Sequence, residues 1–314
     1  MSKVIVGMVL AAILSAVVGS SVVSAATLNE ELDSLFVIAS SAEIQHQDQR
    51  DPAMDRIASY GAEAVPYLVD KFSTQSAWER WTVLWIFQRI GATAIPGLLQ
   101  ALNRSEGEVV ERVCWALGDV GDSTAVDGLT AVTNHTRWQV RDQALQALGK
   151  IGDVRASEVV QHGLVDTVGQ VRKSAAVACG KLDVEAAIDG LVDMLGDSFY
   201  GARLMAIDAL LKLDTASVLA SVTAAFDAPD PRVGNLACVL LGKIGTDDAM
   251  KILLTQLDSP DPIRHAHAAL GLVEADPQDN CRYRDRYYND QTDRLLKIKI
   301  ESAIGMYDDE IGSP

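Results

Sequence analysis

The residue types best suited to catalysis or metal binding are the five histidines and four cysteines of this chain, and their spacing predicts neither activity. The sequence contains no His-Glu-x-x-His zinc motif, no Gly-x-Ser-x-Gly turn around a nucleophilic serine, no phosphate-binding loop and no Cys-x-x-Cys pair. His265 and His267 lie two residues apart at the start of a predicted helix, where their side chains point in different directions. We therefore predict no catalytic residue, no metal and no cofactor.

The tryptophans are unevenly distributed, because all five lie between residues 78 and 138. They are Trp78, Trp81, Trp85, Trp115 and Trp138. Tryptophan together with arginine, here Arg112, is the composition of the dominant sites of many protein interfaces. Three interpretations are open: a surface that binds a protein partner, a core thickened by indoles, and a stacking platform for a sugar ring.

A pattern that recurs every 29–31 residues indicates which elements carry these side chains. Each copy reads apolar-x-x-apolar followed by Gly, Asp or Glu, and we call this last residue the anchor of the repeat. The anchors are Gly61, Gly91, Gly121, Gly152, Asp183, Asp214, Gly245 and Glu274. A fixed period of this length is typical of stacked repeat architectures.

Each repeat is predicted to contain two helices that are joined at its anchor. In the fourth repeat, Val140, Ala144, Leu148 and Ile151 form one apolar helical stripe. Gly152 then ends this first helix, since glycine readily adopts the left-handed conformation of a helix C-terminus. A second helix follows, with apolar residues four and eight positions after the anchor.

The repeat also places the tryptophans. Trp85 and Trp115 each lie six residues before an anchor, a position that is off the apolar stripe. We therefore expect both side chains to be partly exposed on the face of the first helices, with Trp81 one turn back on the same face.

The N-terminus has the features of an export signal. Lys3 is the only charged residue in the first 26, and small residues allow cleavage after Ala25 or Ala26. The uncharged stretch 4–26 is also long enough to span a bilayer, so an uncleaved membrane anchor is the alternative. We predict a signal peptide in residues 1–26 and an exported protein, periplasmic or extracellular.

The net charge bears on the class of partner. The 314 residues carry a formal charge of −16, with an isoelectric point near 4.6. A field of this sign repels phosphate backbones, so we expect no nucleic-acid partner.

The segment Val140-Arg-Asp-Gln-Ala-Leu-Gln-Ala-Leu-Gly-Lys-Ile-Gly-Asp153 resembles the HEAT repeat, in the short form found in phycobilin-lyase-type proteins. The resemblance covers residues 50–276. It implies an all-α fold: a right-handed α-solenoid of about eight helix pairs, preceded by the signal segment, with the first helices lining the concave surface. Residues 27–49 are then an N-terminal capping helix and residues 277–314 a C-terminal cap and tail.

Enzymes among HEAT-like proteins provide two comparisons. The deoxyhypusine hydroxylases bind two irons through His-Glu pairs, and no histidine here is followed by glutamate. The phycobilin lyases act on bilin-carrying proteins inside the cell, whereas this chain is predicted to be exported. An accessory subunit of an enzyme is therefore the alternative function, not the leading one.

Arginines recur eleven residues before the anchors, with one shifted by a single position, and three aspartates precede such arginines by six. The residues concerned are Arg141, Arg172, Arg203, Arg264, Asp166, Asp197 and Asp258. The resemblance implies a structural ladder between repeats, in which the Asp of a turn bonds neighbouring backbone and Arg. A row of arginines that binds anions is the alternative.

The cysteines are predicted to be structural. Cys114, Cys179 and Cys238 occupy positions that hold aliphatic residues in other repeats, so each is expected to be a buried hydrophobe. Their alternate repeats place them too far apart for disulfides. Only Cys238 with Cys281 is open to pairing.

The sequence as a whole predicts a non-catalytic scaffold or adaptor that binds a protein partner outside the cytoplasm. The predicted binding residues are Trp81, Trp85, Trp115, Trp138 and Arg112. A glycan-binding module is a further alternative, and membrane association is expected only if the signal segment stays attached.

Overall fold

Helices are the regular elements of residues 25–275, the part of the chain that this computed structural model describes. The apolar stripes read from the sequence form these helices, because each stripe can be buried only against a neighbouring helix. The described helices confirm the predicted all-α solenoid. Most of the predicted signal peptide, and the whole of the predicted C-terminal cap and tail, lie outside the described residues.

Two series of helices alternate after the N-terminal helix α1, Ala25–Ala39. The first helices of repeats 1–8 are α2 (Arg50–Ala58), α4 (Ala77–Ile90), α6 (Gly107–Val120), α8 (Trp138–Ile151), α10 (Gly169–Lys181), α12 (Tyr200–Leu210), α14 (Pro231–Ile244) and α16 (Pro262–Ala275). The second helices of repeats 1–7 are α3 (Val65–Lys71), α5 (Ile95–Ala101), α7 (Val126–Val132), α9 (Ser157–His162), α11 (Ile188–Asp193), α13 (Thr215–Ala225) and α15 (Asp247–Gln256). The described chain thus holds seven complete pairs and the first helix of an eighth.

The turn between the two helices of a repeat depends on the anchor residue. Gly121 and Gly152 have φ angles of +74° and +75°, so the chain reverses directly after the first helix. The anchors with positive φ also include Gly61, Gly91, Asp183 and Gly245. Asp214 departs from the pattern, because its φ is −56° and its side chain accepts a hydrogen bond from the Ser217 N–H. This anchor caps the second helix instead of reversing the chain.

Glycines three residues before the anchors let successive first helices approach closely. A Cβ atom on Gly118 would lie 2.7 Å from the Ala147 Cα, and one on Gly180 would lie 2.8 Å from the Ala209 Cα. The same approach joins Gly149 to Ala178 and Gly242 to Gly271. The second helices lie further apart from one another. Closer packing on the first-helix side is the geometry expected of the concave surface.

We call the contact between two successive first helices a joint. The joints that follow repeats 1, 2 and 6 lack this glycine. The residues in its place are Ala58, Gln88 and Leu211. At the joint after repeat 2 the rings of Trp81 and Trp115 lie between α4 and α6. At the joint after repeat 6, α12 and α14 make little contact, and the start of α14 packs against the turn Met194–Gly196 instead. The joints after α4 and α12 are therefore wider than the glycine joints.

Helix α1 covers the exposed end of repeat 1. Leu32 and Phe36 are buried against the core. Glu31 pairs with Arg56 at 3.1 Å, and Asp33 pairs with Lys71 at 2.8 Å. This helix lies where the sequence analysis expects an N-terminal cap.

One stretch of the described chain, Ala77–Ala101, has the length and apolar composition of a membrane-spanning helix. It comprises α4 and α5, which are separated by the reversal at Gly91. Val83, Phe87 and Leu98 are fully buried in the solenoid core. Core packing accounts for part of the apolar composition of this stretch, which also includes the exposed Trp78 and Trp81.

The described cysteines are structural, as predicted. Cys114, Cys179 and Cys238 are free and fully buried. Burial raises the pKa of each thiol to about 12, so all three are protonated and unreactive at neutral pH. Cys281 lies outside the described residues.

Candidate binding surface

One face of each first helix consists of the positions 13, 10 and 6 residues before the anchor. These positions follow one another at spacings of three and four, so they line one side of a helix. In α4 all three are tryptophans, Trp78, Trp81 and Trp85, and in α6 the last is Trp115. In repeats 4 and 5 the same positions hold Gln139, Asp142, Gln146, Gln170, Lys173 and Val177.

The four indoles of α4 and α6 form one group, which we call the tryptophan cluster (Trp78, Trp81, Trp85 and Trp115). The ring centroids of Trp78 and Trp85 are 5.4 Å apart, and those of Trp81 and Trp115 are 4.8 Å apart, each pair at 80°. Trp81 and Trp85 lie side by side at 6.3 Å. Edge-to-face pairs of this kind contribute about 0.5–1.5 kcal/mol each beyond the area they bury. The cluster is therefore a preorganised aromatic surface.

Part of this cluster faces solvent. Trp78 is 39% exposed and Trp81 is 43% exposed. Trp85 and Trp115 are half-buried and pack against the core from the same side. The Arg50 guanidinium lies 5.6 Å from the Trp78 ring centroid, a cation–π contact at the edge of the cluster. The inner rings thus support the outer two.

The structure separates Trp138 and Arg112 from this cluster, although the sequence analysis grouped them with it. Trp138 is the first residue of α8, is 38% exposed and makes no ring contact with another described tryptophan. The Arg112 side chain is only 14% exposed. Its guanidinium donates to the carbonyl of Phe72, which ends helix α3, and to that of Thr74 in the turn that follows. Arg112 therefore joins repeats and is not part of the open face.

Two carboxylates on the same face, Glu111 of α6 and Asp142 of α8, are partly or fully buried. Burial raises the pKa of Glu111, although Arg137 lies 3.5 Å away. Burial also raises the pKa of Asp142, which accepts hydrogen bonds from Ser174 at 2.6 Å and from Gln146 at 3.0 Å. Asp142 thus links α8 to α10 in the middle of the face.

The arginine–aspartate pairs join successive repeats. Arg141 donates to both carboxylate oxygens of Asp166 at 2.7 and 2.8 Å, and Arg172 does the same to Asp197 at 2.5 and 2.7 Å. Each aspartate also accepts the backbone N–H two residues later, from Val168 or Phe199. Burial alone raises the pKa of both carboxyls, but these bonds outweigh it and hold each pKa below its ordinary value. Because Arg141 and Arg172 already pair with these carboxylates, they are not arranged to bind anions.

The two remaining arginines of the predicted set have other partners. Arg203 donates to the Asp197 carbonyl at 2.6 Å and lies over the Tyr200 ring at 5.3 Å. Arg203 has no aspartate partner of the kind that Arg141 and Arg172 have, because Ala228 occupies the position in repeat 7 that corresponds to Asp166 and Asp197. Arg264 donates to the Phe226 carbonyl at 3.0 Å and lies over that ring. Asp258 lies in the turn before α16.

Sequence reasoning missed two features of this face. Trp78 was left out of the predicted binding set, although its spacing of seven residues from Trp85 places both on one helix face. The bond between Asp142 and Ser174 has no sequence signal, because it joins different repeats. Among residues 25–275, no group of three or more His, Cys, Asp or Glu side chains is placed to hold a metal ion.

Comparisons with known proteins agree with this architecture. The family model described as HEAT repeats matches residues 95–180, 126–202 and 188–273, which together span more than half of the chain. No curated protein sequence matches at a significant level.

Solved structures with a similar arrangement include human deoxyhypusine hydroxylase in complex with glycerol, with 19% identity over 80% of this chain and 98% of that one, at a TM-score of 0.36. Another is the CpcE–CpcF complex of phycocyanin lyase from Nostoc sp. PCC7120, with 18% identity over 76% of this chain and 94% of that one, at 0.41. An engineered protein shares 16% identity over 90% of this chain and 92% of that one, at 0.42. Identities this low carry no information on activity.

The family match and the fold lead to the same conclusion. Paired helices repeat with a period of 29–31 residues, glycine joints stack the first helices, and the family model covers three overlapping stretches of this array. This chain belongs to the HEAT-repeat family.

Proposed function

We propose that the protein is a non-catalytic scaffold that binds a protein partner through the tryptophan cluster on its first-helix face, outside the cytoplasm. The observation that carries this proposal is the exposure of Trp78 and Trp81 at 39% and 43% on a preorganised group of four indoles. Large aromatic side chains that stay partly open on a folded surface are the usual centre of an interface.

The alternative of a thickened core fits the inner rings better than the outer ones. Trp85 and Trp115 already reach the core from this face. Trp78 and Trp81 add little to it, and they keep a large apolar area in water. Removing apolar area from water is favourable by roughly 25 cal/mol per Å² before the costs of association are subtracted, so covering these two rings favours binding.

Replacement of both outer indoles, Trp78→Ala with Trp81→Ala, is expected to remove a bound partner without unfolding the chain. The wild-type chain would be used to capture partners from the native cell envelope, and the double variant would be compared at equal concentration. Trp138→Ala is the matched control, because that indole is equally exposed but lies apart from the cluster. A partner captured equally by the double variant would exclude the cluster as its binding site.

The proposed location is supported by the apolar, nearly uncharged N-terminal segment. Cleavage is expected after Ala25 or Ala26, so the mature protein should begin at Ala26 or Thr27. N-terminal sequencing of the native protein, together with cell fractionation, measures this. An intact N-terminus in the cytoplasmic fraction would contradict the proposed location.

A further inference from the structure

A second apolar surface lies on the same face, four first helices along the solenoid from α4. It consists of Tyr200, Leu204 and Leu211, which are 63%, 39% and 40% exposed, and we call it the α12 patch. Leu204 lies ten residues before its anchor, the position that Trp81 occupies in repeat 2. Leu204 therefore faces the same side of the stack as the tryptophan cluster, and Tyr200, one turn before it, lies at the edge of that side.

The wide joint after α12 explains why this patch is uncovered. Leu211 stands where the neighbouring repeats have the glycine of the close approach, such as Gly180 against Ala209. A leucine there cannot pack against a neighbouring backbone, and α14 contacts the turn Met194–Gly196 instead of α12. Both apolar surfaces thus coincide with joints that lack the glycine.

The face between the two apolar surfaces is mostly polar, with the half-buried Val177 as its apolar exception. Helices α8 and α10 present Gln139, Gln146 and Gln170; the last two already bond to Asp142, and a glutamine amide has further donor and acceptor positions for an extended backbone. The nearer helix of the tryptophan cluster is α6. From α6 to α12 there are three helix-to-helix steps of about 8–10 Å, or roughly 30 Å in total. An extended chain covers about 3.3 Å per residue, so about nine residues span this distance.

Carboxylates and arginines both accompany the apolar surfaces, since the Arg50 guanidinium lies over the Trp78 ring and that of Arg203 lies over the Tyr200 ring. Glu108 is in the repeat-3 position equivalent to that of Trp78, its side chain is 51% exposed, and its contacts with Arg112 and Arg137 are long, at 3.7 Å each. Asp208 lies one turn after Leu204, is exposed and forms no ion pair with another described residue. The protein as a whole carries a charge of −16. This net charge favours a partner segment that has basic residues beside its apolar groups.

We infer that this face binds one extended segment of a protein partner, which has an apolar anchor residue at each end, a basic residue next to each, and about nine polar residues between them. The inference rests on the proposed function and adds to it the length and chemistry of the bound segment. One apolar end occupies the tryptophan cluster, the other occupies the α12 patch, and the backbone between them meets the glutamines.

Two synthetic peptides without tryptophan test this inference. Each has a Lys-Phe pair at both ends, with about nine serine and threonine residues between the pairs in the long peptide and about four in the short one. Binding is followed by the emission of the protein's own tryptophans, four of which form the cluster. We expect the long peptide to bind at least about tenfold more tightly, since only it reaches both apolar surfaces.

The variant Tyr200→Ser with Leu204→Ser separates this inference from the proposed function. It should lower affinity for the long peptide to that for the short one and leave the short peptide unaffected. Val165→Ser is the matched control, because Val165 is 75% exposed and lies outside both surfaces. Circular dichroism checks folding, and Tyr200→Ser alone is the second variant if the pair unfolds.

The outcomes distinguish the extended-segment inference from the proposed function. Equal affinity of the wild-type protein for both peptides, no binding of either, or an unaffected Tyr200→Ser/Leu204→Ser variant would overturn the extended-segment inference. Loss of binding in Trp78→Ala/Trp81→Ala together with an unaffected α12 variant would leave the proposed function standing. Undiminished binding by the tryptophan variant would count against the proposed function itself.

Discussion

Gly118→Ala is expected to lower the free energy of unfolding by about 1–3 kcal/mol, the usual cost of inserting a methyl group into a tightly packed contact. In an exposed helix the same substitution would stabilise by about 1 kcal/mol, because alanine is the better helix former. Here the new Cβ would lie 2.7 Å from the Ala147 Cα and 2.8 Å from its Cβ. The Ala147 backbone cannot move aside as a flexible side chain can, so α6 and α8 would have to move apart.

The matched control for this prediction is Gly190→Ala in α11. A Cβ there would meet only one methyl group of Leu164, at 3.2 Å, and that side chain can move by a few tenths of an ångström. Urea denaturation of both variants measures the difference. Equal stability of Gly118→Ala and Gly190→Ala would show that the glycine joints are not close-packed.

Asp197→Ala should have the larger effect, a loss of about 3–5 kcal/mol, because it leaves a mostly buried arginine without its counterion. Asp197 is 6% exposed and Arg172 is 16% exposed, and the carboxylate also accepts the Phe199 N–H at 2.7 Å. Asp127→Ala is the control, since that carboxylate is 88% exposed and lies 3.5 Å from Arg155. Exposed pairs of this kind contribute about 0–1 kcal/mol.

The pKa of Asp197 fixes how this loss depends on pH. Burial raises the pKa, but Arg172 and the Phe199 N–H lower it further, so the folded-state pKa lies below that of the unfolded chain. The contribution of this carboxylate is therefore fully present above about pH 4, the unfolded-state value, and is lost as pH falls through the folded-state pKa. Denaturation midpoints of wild type and Asp197→Ala should differ most at pH 7, and the difference should shrink as pH falls below the unfolded-state value of about 4. A difference independent of pH would contradict the ion pair.

The helical repeat could be predicted from sequence because its signals are local. The stripe of Val140, Ala144 and Leu148 is fully buried, and Gly152 reverses the chain as expected. Asp214 shows the limit of such signals. It occupies the anchor position, yet its carboxylate can cap the next helix, and this alternative depends on geometry that the repeat pattern does not contain.

The candidate surface was predictable only in part, because it depends on contacts between repeats. The shared repeat position of Trp85 and Trp115 predicted a common face, and helical spacing placed Trp81 on it. The ring contacts that define the cluster and leave Trp138 out are between residues of the folded chain and have no sequence signal. Arg112 has the composition of a hot spot and instead bonds carbonyls that are 38 and 40 residues away in sequence. Leu211 stands in the position of the missing glycine, and its effect depends on how α14 packs against the neighbouring repeat.

The central claim, that the tryptophan cluster is the binding site of a scaffold, is tested most directly by the Kd of the captured partner for the wild-type chain and for Trp78→Ala/Trp81→Ala. Loss of two interface indoles at a hot spot costs at least about 2 kcal/mol, so the account predicts a Kd that is about 30-fold weaker or more, for a variant that circular dichroism shows to be folded at the assay temperature. A Kd within about threefold of wild type, a difference below about 1 kcal/mol, would contradict it.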